Sequence, residues 1–198
     1  SFIITTVGTT IQMFMTVTTA YPLSRSYLPG RSFLMMLIIL EMIFPPGLIP
    51  FYLTVRQFGL IDSWWALILP YAMSTFNMIV LKSYFQALPK ELEESAIIDG
   101  ANDIQVLFRV MLPLAMPVVL TLTLLYAVAN WNVYLPALFF INDGSKQPLQ
   151  VILRGLISSG TTAFEAASVL LAALPMLAAY PFIQRYFVKG ITLGAVSG

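Results

Sequence analysis

The chain has 198 residues, 59% of them hydrophobic and 10% charged, with a mean hydropathy of +0.85 and a net charge of +1. That length fits one domain, and that hydropathy belongs to an integral membrane protein rather than a soluble one. The near-neutral balance argues against nucleic acid as a partner, and the absence of Cys and His excludes disulfides, thiolate chemistry, His-based zinc sites and a Ser-His-Asp triad.

The first apolar run covers about 2–23. It opens "SFIITTVGTT" with no Met and no basic lead, and nothing soluble follows it, so it reads as a span and not a signal peptide. Upstream residues are expected to precede it. The second run covers about 33–53. Glu41 stands about 12 Å along that helix at 1.5 Å per residue, and Pro45, Pro46 and Gly47 follow it. The two prolines cannot donate backbone hydrogen bonds, which predicts a break. A lone carboxylate at a helix centre costs about 3 kcal/mol, so Glu41 must face protein or water. It lines a pathway, or it is protonated and bonded to a neighbouring helix.

The third run covers about 64–82. Trp64 and Trp65 at its outer edge fit an aromatic belt, and Asn77 within it fits an interhelical hydrogen bond. Next comes "LPKELEESAIIDGANDIQVLFRVMLP" over 88–113. It carries seven charged residues, Lys90, Glu91, Glu93, Glu94, Asp99, Asp103 and Arg109, in a chain with only 10 Lys+Arg and 9 Asp+Glu. Pro89 and the glutamates suit a helix start, and Gly100 suits its end in a left-handed conformation. Asn102 with Gln105 forms a capping-box pattern for a second helix. Ile104, Leu107, Phe108 and Met111 fall at i, i+3, i+4 and i+7, predicting one apolar face. Two short amphipathic helices thus meet at Gly100 with an acidic edge. A helix lying on lipid usually carries Lys and Arg there instead, so the pattern favours docking to a protein.

The fourth run covers about 114–135 and closes with "YAVANWNVY". Here Tyr126, Asn130, Trp131, Asn132 and Tyr134 pair amides with aromatics, which suits sugar binding. Trp131 and Tyr134 equally suit an outer belt. The loop "INDGSKQPLQVILRGLISSGTT" holds a turn signal at Asn142-Asp143-Gly144. The fifth run covers about 164–184. Five spans put Arg25, Arg31, Lys82, Lys90, Arg109, Arg185 and Lys189 on one side, against Arg56, Lys146 and Arg154 on the other. The positive-inside rule then makes the 88–113 hairpin and the C-terminus cytoplasmic. The expected fold is all-α, a polytopic transmembrane bundle forming a single domain over 1–198.

The stretch Glu94-Ser95-Ala96-Ile97-Ile98-Asp99-Gly100-Ala101, with Leu112-Pro113-Leu114-Ala115-Met116-Pro117 after it, resembles the EAA loop of ABC importer permeases. Ser95 replaces the first alanine of the pattern, small for small, and the glycine spacing is intact. The run "GLIDSWWALILPYAMSTFNMIVLKSYFQALPKELEESAIIDGA" and the closing "FVKGITLGAVSG" are similar to maltose-type sugar permeases, especially the complex-oligosaccharide branch. The resemblance spans nearly the whole chain and implies a type I importer permease fold whose first span is absent here. It implies that Glu94, Ser95, Ala96, Asp99, Gly100, Ala101, Phe108 and Pro113 belong to the surface set into an ATPase subunit, with Glu94 facing a basic residue. It implies that the tail from Gly190 to Gly198 reaches toward the ATPases. Implied partners are a second permease, two ATPase subunits or domains, an extracytoplasmic solute-binding protein and membrane lipid. The implied location is a bacterial-type inner membrane.

The chain has no G-x-x-x-x-G-K-[ST] phosphate loop and no Gly-Lys dipeptide. It is therefore expected to be no enzyme and to hold no cofactor, with ATP and Mg bound by the partner ATPase. Two other readings stand beside this one: an ion-gradient-driven secondary transporter using Glu41, and an intramembrane enzyme, which the missing His, Cys and paired aspartates disfavour.

Overall fold

The structure, a computed structural model, describes residues 1–158 together with 170, 173–175 and 177. It is helical, with no strand among the described residues. The helices are α1 (Phe2–Ser24), α2 (Arg31–Ile43), α3 (Leu48–Gln57), α4 (Trp65–Ile68), α5 (Thr75–Ala87), α6 (Lys90–Ile98), α7 (Asp103–Val106), α8 (Leu112–Leu114), α9 (Met116–Trp131), α10 (Leu135–Phe140) and α11 (Leu149–Ser158).

Only α1, among the described residues, is a single helix long and apolar enough to cross a membrane. Its threonines suit lipid. The exposed hydroxyls of Thr6, Thr10 and Thr18 donate to the carbonyls of Phe2, Thr6 and Phe14 four residues back, so these three are satisfied within the helix.

The next two predicted spans are not continuous rods, and the one after them starts at a bend. The 33–53 run is α2 and α3, bent by 116°. The break falls where Pro45 and Pro46 remove two backbone donors, and Gly47 is extended at φ −61° and ψ 158° to restart the chain. The 64–82 run is α4, with its 3₁₀ turn Leu69–Tyr71, and α5, bent by 44°. The 114–135 run stops at Trp131, and its helix lies at 84° to the segment before it. Counting each bent pair as one span gives up to four spans. The predicted fifth span, 164–184, lies outside the described residues except at 170, 173–175 and 177.

Within the domain expected for 1–198, contacts group into two compact units. The first draws on Ser1–Ile11, Pro46–Ala72 and the described residues from Leu124 onward. Its core is Ile4, Val55, Ala66, Leu67, Ile68, Ala137, Phe140, Ile141 and Val151. Phe140 stacks on Tyr52 at 6.0 Å, and Phe51 meets the Tyr71 ring edge-on at 5.6 Å.

The second unit draws on Gln12–Pro45 and Met73–Thr123. Tyr21, Met78, Leu81, Phe85, Val106, Leu107, Met111 and Ala115 are buried in it. Every residue of α2 is at least partly exposed, including Phe33, Leu34, Met36, Leu37 and Leu40. A helix apolar all round suits a lipid or protein surface rather than water.

Candidate functional site

The hairpin over 88–113 is built by a sequence of local signals. Leu88 is extended at φ −70° and ψ 143°, because the following Pro89 disfavours helix at that position. α6 then runs to Ile98. Gly100 has φ +85°, and its N–H bonds the carbonyl of Ile97 at 2.9 Å while that of Ala101 bonds Ala96 at 3.0 Å. This is a Schellman ending. Asn102 follows at once. Its side chain accepts from the Gln105 N–H at 2.9 Å, and the Gln105 side chain accepts from the Asn102 N–H at 3.0 Å. Two closed capping motifs back to back leave the joint between α6 and α7 few free backbone groups.

The outward surface of this joint is apolar with an acidic edge. Ile98 is 84% exposed, Ile104 68% and Phe108 47%, with Leu92 and Ile97 beside them. Glu91, Glu94, Ser95, Asp99 and Asp103 are exposed, while Ala96 and Ala101 are half-buried. The Ser95 hydroxyl donates to the Leu92 carbonyl at 3.1 Å, keeping it within its own helix. Pro113 sits exposed in α8.

The single apolar face expected for Ile104, Leu107, Phe108 and Met111 is divided. Leu107 and Met111 are buried, and Ile104 and Phe108 are exposed. The cause is a π-helical turn over Leu107–Met111. Its i→i+5 bonding turns less per residue, so side chains that would align on an α-helix separate into two stripes. One stripe holds the hairpin to the protein, and the other is presented outward.

Glu93, grouped in the sequence with Glu91 and Glu94 as part of a helix start, is 6% exposed. It forms an ion pair with Arg25, just past the end of α1, and accepts the Tyr21 hydroxyl at 3.2 Å. The Arg25 guanidinium lies 4.7 Å from the Tyr21 ring centroid, and the Phe85 ring meets Tyr21 edge-on at 5.8 Å. Tyr27 follows in the loop after α1, where partial burial first, and then the negative charges of Asp103 and Glu93, raise its hydroxyl pKa. The segment 21–25 therefore grips the α6 arm of the hairpin. The available signal was the i, i+3 spacing of Glu93 with the small Ala96, which marks the inward side of α6.

The proposed pathway residues divide between the two units. In the second unit, Glu41 is exposed near the end of α2 and accepts the Thr75 hydroxyl at 2.7 Å at the start of α5. Asn77 is buried in α5, where its N–H is capped by Ser74. In the first unit, Asn130 is buried and donates to the Thr9 hydroxyl at 3.1 Å, beside Gly8. Tyr126 is buried and Trp131 half-buried. Asn132 is exposed and bonds the Val128 carbonyl and the Gln150 side chain. Tyr134 packs against the first unit's core.

A second feature escaped the sequence reading. Asp62 has φ +62°, rare for a residue with a side chain. Its carboxylate accepts the N–H groups of Asn142 and Asp143, its own N–H bonds the Phe140 carbonyl at 2.7 Å, and Lys146 donates to its carbonyl at 3.0 Å. Trp64, read as a belt residue, donates its indole N–H to the Lys146 carbonyl at 2.9 Å. The turn expected at Asn142-Asp143-Gly144 becomes a 3₁₀ turn at Gly144–Lys146 capped by Asp143.

Residues 5–193 match the family described as binding-protein-dependent transport system inner membrane component. The whole chain aligns at 47% identity with 72% of Protein LplC of Bacillus subtilis (strain 168). It aligns at 44% with 75% of the polygalacturonan/rhamnogalacturonan transport system permease protein YtcP of the same organism. A crystal structure of a bacterial ABC transporter involved in the import of the acidic polysaccharide alginate superposes with a TM-score of 0.86 at 33% identity, covering 92% of this chain and 71% of that one.

Proposed function

This chain belongs to the family of binding-protein-dependent transport system inner membrane components, and on that premise we propose how its geometry serves transport. It is a permease subunit of an ATP-driven sugar importer. The match gives no support to the ion-gradient reading built on Glu41.

The finer assignments are ours. The substrate is an oligosaccharide. ATP and Mg are held by separate ATPase subunits, and the exposed face of the 88–113 hairpin docks into them. The second permease and an extracytoplasmic binding protein complete the assembly, with the hairpin and C-terminus on the cytoplasmic side. The C-terminal tail, assigned a contact with the ATPases by resemblance, lies outside the described residues. In the first unit, Trp131 and Asn132 at the end of α9 are our candidates for contact with sugar; in the second unit the candidate is Glu41, taken by itself. Closure of the ATPases moves the docked hairpin and drives alternating access.

One observation carries this reading: an apolar surface, Leu92, Ile97, Ile98, Ile104 and Phe108, stands outward on a joint closed by two capping motifs. A free apolar hairpin of this rigidity needs a cleft to enter. The test is reconstitution in proteoliposomes with the ATPase, the second permease and the binding protein. ATP-dependent oligosaccharide uptake is expected, with no ATP turnover by this chain alone. Turnover by the purified chain, or uptake driven by an ion gradient without ATP, overturns the proposal.

A further inference from the structure

The hairpin's backbone connections to the rest of its unit are poorly suited to carry force. At one end it joins α5 through Leu88 and Pro89, two residues in extended conformation with no helical continuity. At the other it passes through the π turn Leu107–Met111 and an 84° bend before α9. The π turn and the bend interrupt the regular i→i−4 ladder, so no straight helix axis runs from the hairpin into α9.

A side-chain connection bypasses both. Glu93 projects from the middle of α6, on the side away from the exposed apolar surface, and is buried. Its two carboxylate oxygens are engaged by different groups of one segment, Tyr21 on one and Arg25 on the other. Tyr21 lies in the last turns of α1, its ring held by Phe85 of α5 and by the Arg25 guanidinium. Three helices thus meet at one buried, charge-assisted junction. Charge-assisted hydrogen bonds are the shorter and stronger kind, and a buried pair resists separation because either partner alone would be left uncompensated.

We propose that the Arg25–Glu93–Tyr21 junction is a positioning device that makes the hairpin and the end of α1 move as one body, so that displacement of the hairpin reaches the long membrane-crossing helix directly. This rests on the permease reading above. Glu93 has no part in docking itself, since it faces away from the docking surface.

The absence of cysteine from the chain makes the test direct. Spin labels on Ser26→Cys, after α1, and Lys90→Cys, at the start of α6, both at exposed positions, report the distance across the junction in the full reconstituted complex. One narrow distance is expected, unchanged between nucleotide-free and ATP-bound states. A distance that changes with nucleotide overturns the proposal without any alteration of the junction. Glu93→Gln, which keeps an acceptor but loses the charge, is expected to retain the ATPase subunit and its ATP turnover. Sugar imported per ATP should fall by about fivefold or more, the scale of a lost coupling free energy. Unchanged import per ATP in an assembled Glu93→Gln complex also overturns it, as does import that falls only in step with lost ATPase retention. Failure of the unaltered chain to capture any ATPase would instead overturn the permease reading, so the two failures are distinguishable.

Discussion

The Asp62 carboxylate accepts the backbone N–H of Asp143 at 2.8 Å across 81 residues of sequence, and Lys146 closes the contact from the other side at 3.5 Å. The loop before α4 and the loop after α10 are thereby pinned together. The Asp143 N–H, then that of Asn142, then the Lys146 charge hold the Asp62 carboxyl below its ordinary value of 3.8. Ser145 and Lys146 lower Asp143 likewise. Both groups are anionic in the pinned state and have depressed pKa values, so their stabilisation is full above the ordinary carboxylate value. It is lost as pH falls through the folded values. Hydrogen exchange at Asn142 and Asp143 should be slow near neutral pH and gain, below about pH 4, an acceleration beyond the intrinsic pH dependence of exchange. At neutral pH, Asp62→Ala should lose the protection, since it removes the acceptor and strains the positive φ. Asp62→Asn should keep part of it, because asparagine tolerates that backbone. Equal protection in both variants would show that the carboxylate does not hold the loops.

Gly100 has φ +85°, and a Cβ built there meets nothing within 4 Å. Substitution therefore costs backbone strain and not a clash, about 1–2 kcal/mol for an ordinary side chain and more for a β-branched one. Uptake per ATP should fall in the order Gly, Asn, Ala, Val, with membrane insertion unaffected, as measured in proteoliposomes alongside ATPase rate. Wild-type coupling in Gly100→Val would remove the angle of the hairpin from the mechanism.

Glu94 is exposed on the outer surface of α6, whereas Glu41 is engaged by Thr75 at the start of α5. Glu94→Lys reverses a charge on the docking surface, and Glu41→Gln leaves that surface alone. Retention of the ATPase subunit in detergent pull-down should drop severalfold for the first at low salt and stay near wild type for the second. Equal retention by both would count against the docking surface.

Asn130 donates to Thr9, and a Cβ at Gly8 would meet the Asn130 side chain at 3.0 Å. This tight polar contact between α1 and α9 is of a kind worth about 0.6 kcal/mol on average in membranes. Thr9→Val should therefore lower the detergent unfolding temperature slightly. Gly8→Val should lower it more, because it displaces the amide as well as crowding it. If Gly8→Val is neutral, the two helices are not held at this contact.

Much of the hairpin was legible in the residues because its signals are local. Pro89 before a helix, glycine at a left-handed ending, and Asn102 with Gln105 three positions on each act over one turn of chain, and the structure has all of them. The all-helical class and the break at Pro45-Pro46 followed for the same reason. Hydropathy over some 20 residues, however, sees composition and not direction. It grouped α2 with α3 and the α4 segment with α5 as single runs, and it carries no information on the 116° and 44° bends between them.

The tertiary structure decided which side of each helix faces inward. Glu91, Glu93 and Glu94 are alike in sequence, yet only Glu93 is buried, because Arg25 lies 68 residues away in the chain and beside it in space. The π turn at Leu107–Met111, which splits the predicted apolar face, is likewise written in no local pattern that distinguishes it from an α-helical turn. A buried charge is tolerable only with a partner, and partners so distant in sequence are brought together by packing. Composition and spacing thus set the membrane class and the hairpin, while long-range packing decided what anchors it.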